Sequence, residues 1–163
     1  MTYLIIYMSR HGTTAKVAAE IKEKLGTEKT TLVDLEKDQV PSLDEFPTVI
    51  IGGSVHSGTI QQELMTFCIR HKTELLKKRL GLFMCFMNSD LGELEFEDSF
   101  PIDLRRHAMA KGFVGGEFLI EKMSELERAS VKEVKGIDDS VYRLDKKAIQ
   151  KFIEDIEADA INK

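Results

Sequence analysis

Six consecutive residues, Ser9-Arg10-His11-Gly12-Thr13-Thr14, gather the groups that hold an anion. Ser9, Thr13 and Thr14 bring hydroxyl donors, and Arg10 and His11 can carry positive charge. Gly12 lets the backbone come close to a ligand. A helical pattern starts directly after. A helix N-terminus offers unpaired backbone N–H groups and a partial positive charge, which suits a phosphate. One Ser or Thr N-cap would need only one of these residues, so the density of donors favours a bound anion. The loop has neither the Gly-Lys ending of a Walker A loop nor the three glycines of the dinucleotide fingerprint.

Two further loops carry small hydrogen-bonding residues. In Ser54-Val55-His56-Ser57-Gly58, His56 can stack on a planar ligand or donate to it, and it equally suits a solvent-facing position. In Asn88-Ser89-Asp90-Leu91-Gly92, the residues Asn88, Ser89 and Asp90 can bond the edge of a flat heterocycle, though such a triplet is also a common turn. Other chemistries fit poorly. A receiver domain needs acidic residues after its first and third strands, where this chain has Met8-Ser9 and Gly53-Ser54. A cysteine phosphatase needs an arginine closing the loop after Cys85, and Phe86 to Leu91 contain none. The spacing from Gly53 to Gly58 does not make a nucleophile elbow around Ser54 or Ser57. Cys68 and Cys85 form no Cys-x-x-Cys pair, which argues against a disulfide framework or zinc site and for two buried thiols.

The elements around these loops follow from hydrophobic pattern. Tyr3 to Met8, Thr48 to Ser54 and Leu80 to Met87 are continuous apolar runs, the mark of strands buried on both faces. Thr30 to Leu35 reads as a further strand, and Gly112 to Phe118 as a weaker fifth one because of its three glycines. Val17, Ala18, Ile21 and Leu25 recur at helical spacing, with Gly26 as a C-cap. Ile60, Leu64, Phe67, Cys68 and Leu75 share one face of a second helix. Glu36 to Phe46 reads as a loop with room for a short helix, Glu93 to Ala110 as polar with a helix after Pro101, and Glu125 to Val134 as another helix. Ala148, Ile149, Phe152, Ile153, Ile156 and Ala160 form the stripe of a last one. Alternating strands and helices imply βαβ crossovers: an α/β fold with a parallel sheet covered on both sides, in one domain over residues 1–163. Ligands of such sheets bind beyond the carboxyl ends of the strands, where all three loops fall.

The chain has 163 residues with 42% apolar, 31% charged and a net charge of −5. That size fits one domain, and the charge argues against a nucleic-acid partner. No leader-like segment opens the sequence and no membrane-length apolar run occurs, so a cytoplasmic location is expected.

Ser9, Gly12 and Thr14 match the flavodoxin phosphate loop, Thr/Ser-x-Thr-Gly-x-Thr, with His11 replacing a hydroxyl residue. Val49 to Gly58 and Phe83 to Asn88 resemble, more narrowly, the flavodoxin-domain branch that holds the bacterial menaquinone-dependent protoporphyrinogen oxidases. The resemblance is good over the first 90 residues and loose between Glu93 and Tyr142. It implies a three-layer, five-stranded parallel sheet in order 2-1-3-4-5 and non-covalent FMN. Ser9 to Thr14 would hold its phosphate, with Ser54 to Gly58 on one side of the ring and Asn88 to Asp90 on the other. Oxidase members carry a basic, aromatic stretch after the fifth strand. Here Glu117 to Gly136 is charged, with Phe118 its one aromatic residue. The leading expectation is an FMN-binding electron-transfer protein or small flavin oxidoreductase, serving a redox partner protein or a small acceptor. Acidic residues such as Asp90 and Glu93 would lower the flavin potential. Protoporphyrinogen oxidation and a non-catalytic binding module are the alternatives.

Overall fold

The structure is a computed structural model and describes residues 1–118, 122–135 and 140–161. Five strands form the central sheet: β1 (Tyr3–Tyr7), β2 (Thr30–Asp34), β3 (Thr48–Ser54), β4 (Arg79–Cys85) and β5 (Ala110–Phe113). They pair in the order β2-β1-β3-β4-β5, each contact parallel. This is the expected 2-1-3-4-5 sheet.

Successive strand residues point to opposite faces, so each apolar run feeds two cores. Leu4, Ile6, Val49, Ile51, Leu80, Leu82 and Met84 fill one. That side is covered by α2 (Gln62–Arg70), α3 (Lys72–Leu75), α4 (Gly92–Ser99) and α5 (Ile102–His107), through residues such as Leu64, Phe67, Leu75, Phe96 and Leu104. Tyr3, Ile5, Tyr7, Ile50, Phe83 and Cys85 fill the other. There α1 (Thr13–Leu25) contributes Val17, Ala18, Ile21 and Leu25, and α7 (Lys146–Ile161) contributes Ile149, Phe152, Ile153 and Ile156. The expected Ala160 contact lies outside the described side chains. Packing is tight enough that Gly52 has no room for a side chain: a Cβ there would lie 1.9 Å from the Phe83 ring.

Three expectations need correction. The fifth strand does not run from Gly112 to Phe118. It ends at Phe113, and Gly115–Phe118 forms a separate strand, β6, antiparallel to β7 (Val141–Leu144). The reason is Gly115, whose φ of +72° turns the chain out of the main sheet. Its missing Cβ also lets the Arg143 carbonyl oxygen approach to 2.1 Å from where a Cβ would stand. The second helix is two: Ile60 precedes α2, and His71 (φ −104°, ψ 17°) separates α2 from α3. Before Pro101 there is an additional helix, α4, which buries Glu95 and Ser99 beside Phe96 and so shows little apolar patterning. The helix expected near Glu125 is present as α6 (Glu125–Lys135). No helix among the described residues is long and apolar enough to cross a membrane.

Candidate functional site

The strand order turns at β1: the chain leaves it toward β2 on one side, while β3 pairs on the other. A crevice opens at such a point, at the carboxyl ends of the strands. Here it is a cleft of about 470 Å³, within the range of roughly 300–1,000 Å³ typical of small-molecule sites. Ser9, Arg10, His11, Thr13, Thr14, Ser54, Val55, His56, Ser57, Gly58 and Asn88 line it, so the three loops converge. Gly12 sits behind the lining as the N-cap of α1, in the left-handed conformation (φ +99°). Ser89 and Asp90 turn away into a short 3₁₀ turn, exposed, with Asp90 N–H donating to Asn88 Oδ1 at 3.1 Å. Glu93 is exposed as well.

The first loop is organised around α1. The Gly12 N–H donates to Ser9 Oγ at 3.0 Å, which closes the loop, and Lys16 N–H donates to Gly12 O to start the helix. No side chain caps the first turn, and a helix start has no intrahelical partner for its first N–H groups. Thr14 is fully buried. Its Oγ1 makes no regular hydrogen bond, although it lies close enough to the Cys85 thiol to oppose that group's upward shift. Burial of a hydroxyl without a partner is costly, and a phosphate oxygen on this loop would relieve it.

The second loop ends in a tight turn. His56 N–H donates to Thr59 O at 2.9 Å across Ser57 and Gly58, both of positive φ. This is the pattern of a type I′ turn. Gln61 reaches back under it: its Oε1 accepts from Ser54 N–H at 3.1 Å, and its Nε2 donates to Ser54 Oγ at 2.9 Å. Ser54 Oγ also shares a hydrogen bond with His56 Nε2 at 3.1 Å. Burial, with repulsion from Arg10 and His11, pulls the His56 pKa down to about 4 against an opposing effect of Glu127. The imidazole is therefore neutral near pH 7, and its ring meets that of His11 edge-on at 6.1 Å.

A fourth wall was not foreseen from sequence. Phe86, Met87, Leu91 and Glu95 extend the third loop, and Gly116, Glu117, Met123, Glu127, Ser130 and Val131 close the far side. Glu117 is nearly buried (side chain 3% exposed) and accepts from Thr13 Oγ1 at 3.1 Å while pairing with Lys16 Nζ at 3.1 Å. Glu127 Oε2 lies 3.0 Å from Arg10 Nε and 2.8 Å from His11 Nε2. Its Oε1 accepts from Ser124 N–H at 3.3 Å, while Glu127 N–H donates to Ser124 Oγ at 3.2 Å. That reciprocal pair is a capping box at the start of α6. Burial pushes the Glu127 carboxyl up, but the Ser124 backbone, the His11 hydrogen bond and the charges of His11 and Arg10 outweigh it and hold it below the usual range. The Ser124-x-x-Glu127 spacing was the one sequence signal for this residue. Lys122 adds a cation over the loop, its Nζ 3.2 Å from where a Gly12 Cβ would stand.

Solved structures share this architecture. A flavodoxin from the domain Archaea aligns over 100% of both chains with a TM-score of 0.60 and 13% identity. A Fusobacterium nucleatum flavodoxin mutant bound to flavin mononucleotide aligns over 97% of this chain and 96% of its own, with a TM-score of 0.54 and 15% identity. The rubredoxin oxygen:oxidoreductase of Desulfovibrio gigas matches with a TM-score of 0.57 and 15% identity; the alignment covers 98% of this chain but 37% of that one. No curated protein matches by sequence. A family model described as a flavodoxin domain matches residues 4–145. With that match spanning the whole sheet and all three loops, the chain belongs to the flavodoxin domain family.

Proposed function

We propose that the cleft binds FMN non-covalently and that the protein transfers electrons through it. The observation that carries this reading is the loop Ser9–Thr14: an uncapped helix start beside a buried Thr14 hydroxyl that lacks a regular hydrogen bond. Both are met by one phosphate. The family supports the same reading, since relatives of this fold hold flavin mononucleotide.

The residues present fit the group. The backbone N–H groups of Thr13 and Thr14, the Thr14 hydroxyl and the side chains of Arg10, His11 and Lys122 would hold the phosphate. Val55, His56, Met87 and Asn88 give a flat ring both apolar faces and hydrogen-bonding edges. When bound, FMN supplies the electron-carrying centre, and the protein's part is to orient the ring and set its electrostatic surroundings. Neutral His56 adds an imidazole to the lining without placing a cation in the cleft. Glu117, paired with Lys16, lines the cleft and contributes to those surroundings. Asp90 and Glu93, expected to do so, are exposed and do not line the cleft. The acceptor is a redox partner protein or a small molecule, and no described residue of the cleft singles out a porphyrin.

The test is a titration of purified, flavin-free protein with FMN. Quenched flavin fluorescence and a perturbed visible spectrum, at one flavin per chain, are expected. Unchanged fluorescence at excess protein would end this reading and leave a non-catalytic module.

A further inference from the structure

Two side chains of the phosphate loop that can carry positive charge, Arg10 and His11, share one partner. Both bond the same atom, Glu127 Oε2, at 3.0 and 2.8 Å. That carboxylate comes from a helix 116 residues further along the chain. It lies on the cleft wall beside Ser130 and Val131 of the same helix. Glu127 thus meets the loop with a negatively charged oxygen, the chemistry a phosphate would bring.

We propose that Glu127 is an internal counter-anion of the phosphate loop. It holds Arg10 and His11 until a phosphomonoester arrives, and the phosphate displaces it. The inference rests on the flavin reading above and adds to it a competition between ligand and chain. Glu127 engages Arg10 Nε and His11 Nε2, and a phosphate seated on those same nitrogens would lie against its carboxylate, a repulsion that favours its release. The exchange therefore couples ligand binding to the start of α6, because the other Glu127 oxygen caps that helix through Ser124. The device also explains why Arg10 is half-exposed yet held in place: its charge is stored against Glu127 rather than left in water.

The capping box makes the test clean. Glutamine at this position keeps an acceptor for Ser124 N–H, so Glu127→Gln removes the charge while α6 retains its N-terminal bonds. Dissociation constants of FMN and riboflavin are measured by fluorescence quenching for wild type, Glu127→Gln and Glu125→Gln. Glu125 is an exposed acid on the same first turn. Glu127→Gln is expected to bind FMN about three- to tenfold more tightly, in line with the loss of partly exposed ion pairs. Riboflavin, which has no phosphate, should bind all three proteins alike, and Glu125→Gln should match wild type. Hydrogen exchange gives a second readout: FMN, but not riboflavin, should speed exchange at the amides of the first turn of α6 in wild type. Equal or weaker FMN binding by Glu127→Gln would overturn the inference and assign Glu127 to orienting Arg10, with the flavin reading intact. Absence of flavin binding in all three proteins would overturn both.

Discussion

His56 should make the protein lose stability between pH 6.5 and pH 4, by an amount that can be worked from its surroundings. Burial, then repulsion from Arg10 and His11, lowers its pKa from 6.5 to about 4, with Glu127 opposing. In the unfolded chain the imidazole takes up a proton near pH 6.5. Above that value both states are neutral and His56 adds no pH dependence. As the pH falls toward 4 the unfolded state binds more protons than the folded one, so folding weakens. A separation of this size amounts to about 3 kcal/mol once the pH is below both values. The assay is urea unfolding of wild type and His56→Gln at intervals from pH 7.5 to 4. The difference between the two proteins isolates the histidine from the carboxylates common to both. His56→Gln should gain on wild type steadily over this window. An NMR titration of the His56 ring should place its midpoint near 4. A midpoint near 6.5, or a stability difference that stays flat with pH, would refute the claim that the cleft holds this ring neutral.

Thr14→Val removes the buried hydroxyl and keeps the shape. The flavin-free protein should be as stable as wild type or more so, while FMN binds roughly ten- to a hundredfold more weakly, the loss expected for a hydrogen bond to a charged group; equal FMN affinity in a titration would deny Thr14 a phosphate contact. Gly52→Ala drives a methyl into the Phe83 ring and should cost about 3 kcal/mol or more, read as a lower urea midpoint; a midpoint within error of wild type would show that the sheet face is looser than described. Cys68 and Cys85 are both pushed up to about 12 by burial, leaving on the order of one thiolate in ten thousand at pH 8. Neither should react with a thiol reagent in the native protein, both should react in guanidinium, and rapid native labelling of Cys85 would mean that solvent reaches the cleft floor.

The sheet was legible because buried parallel strands write a plain signal. Leu4, Ile5 and Ile6 must all be apolar when one core takes Leu4 and Ile6 and the other takes Ile5. The three loops followed from the strands, since each leaves a carboxyl end. Two kinds of element escaped. β5 and β6 run together in sequence because the break depends on the φ of Gly115, and a glycine within a strand pattern does not announce its dihedral. Helix α4 was hidden because its inner face includes Glu95 and Ser99, whose polarity breaks the apolar stripe; Ser99 is inside because its Oγ accepts from Ile60 N–H at 3.0 Å. The far wall of the cleft was out of reach for another reason. Thr13 meets Glu117 across 104 positions, and His11 meets Glu127 across 116. Periodicity reports on neighbours a few residues apart and carries nothing about such pairs.

These long-range pairs bear on what the loop can do. Hydroxyls, a glycine and a helix start define an anion site by themselves, and they come from residues 9–14. The carboxylates that meet the loop come from β6 and α6, after the main sheet is complete. Glu117 is tied to Thr13 and Lys16 and nearly buried, so its release would expose a charge to no evident gain. Glu127 is more exposed and bound to side chains able to carry positive charge, which makes it the one a phosphate can replace. The departure at His11 acquires a reason from this arrangement. A threonine there would add a hydroxyl for the phosphate but could not form an ion pair with Glu127, and the coupling between the loop and α6 would rest on Arg10 alone.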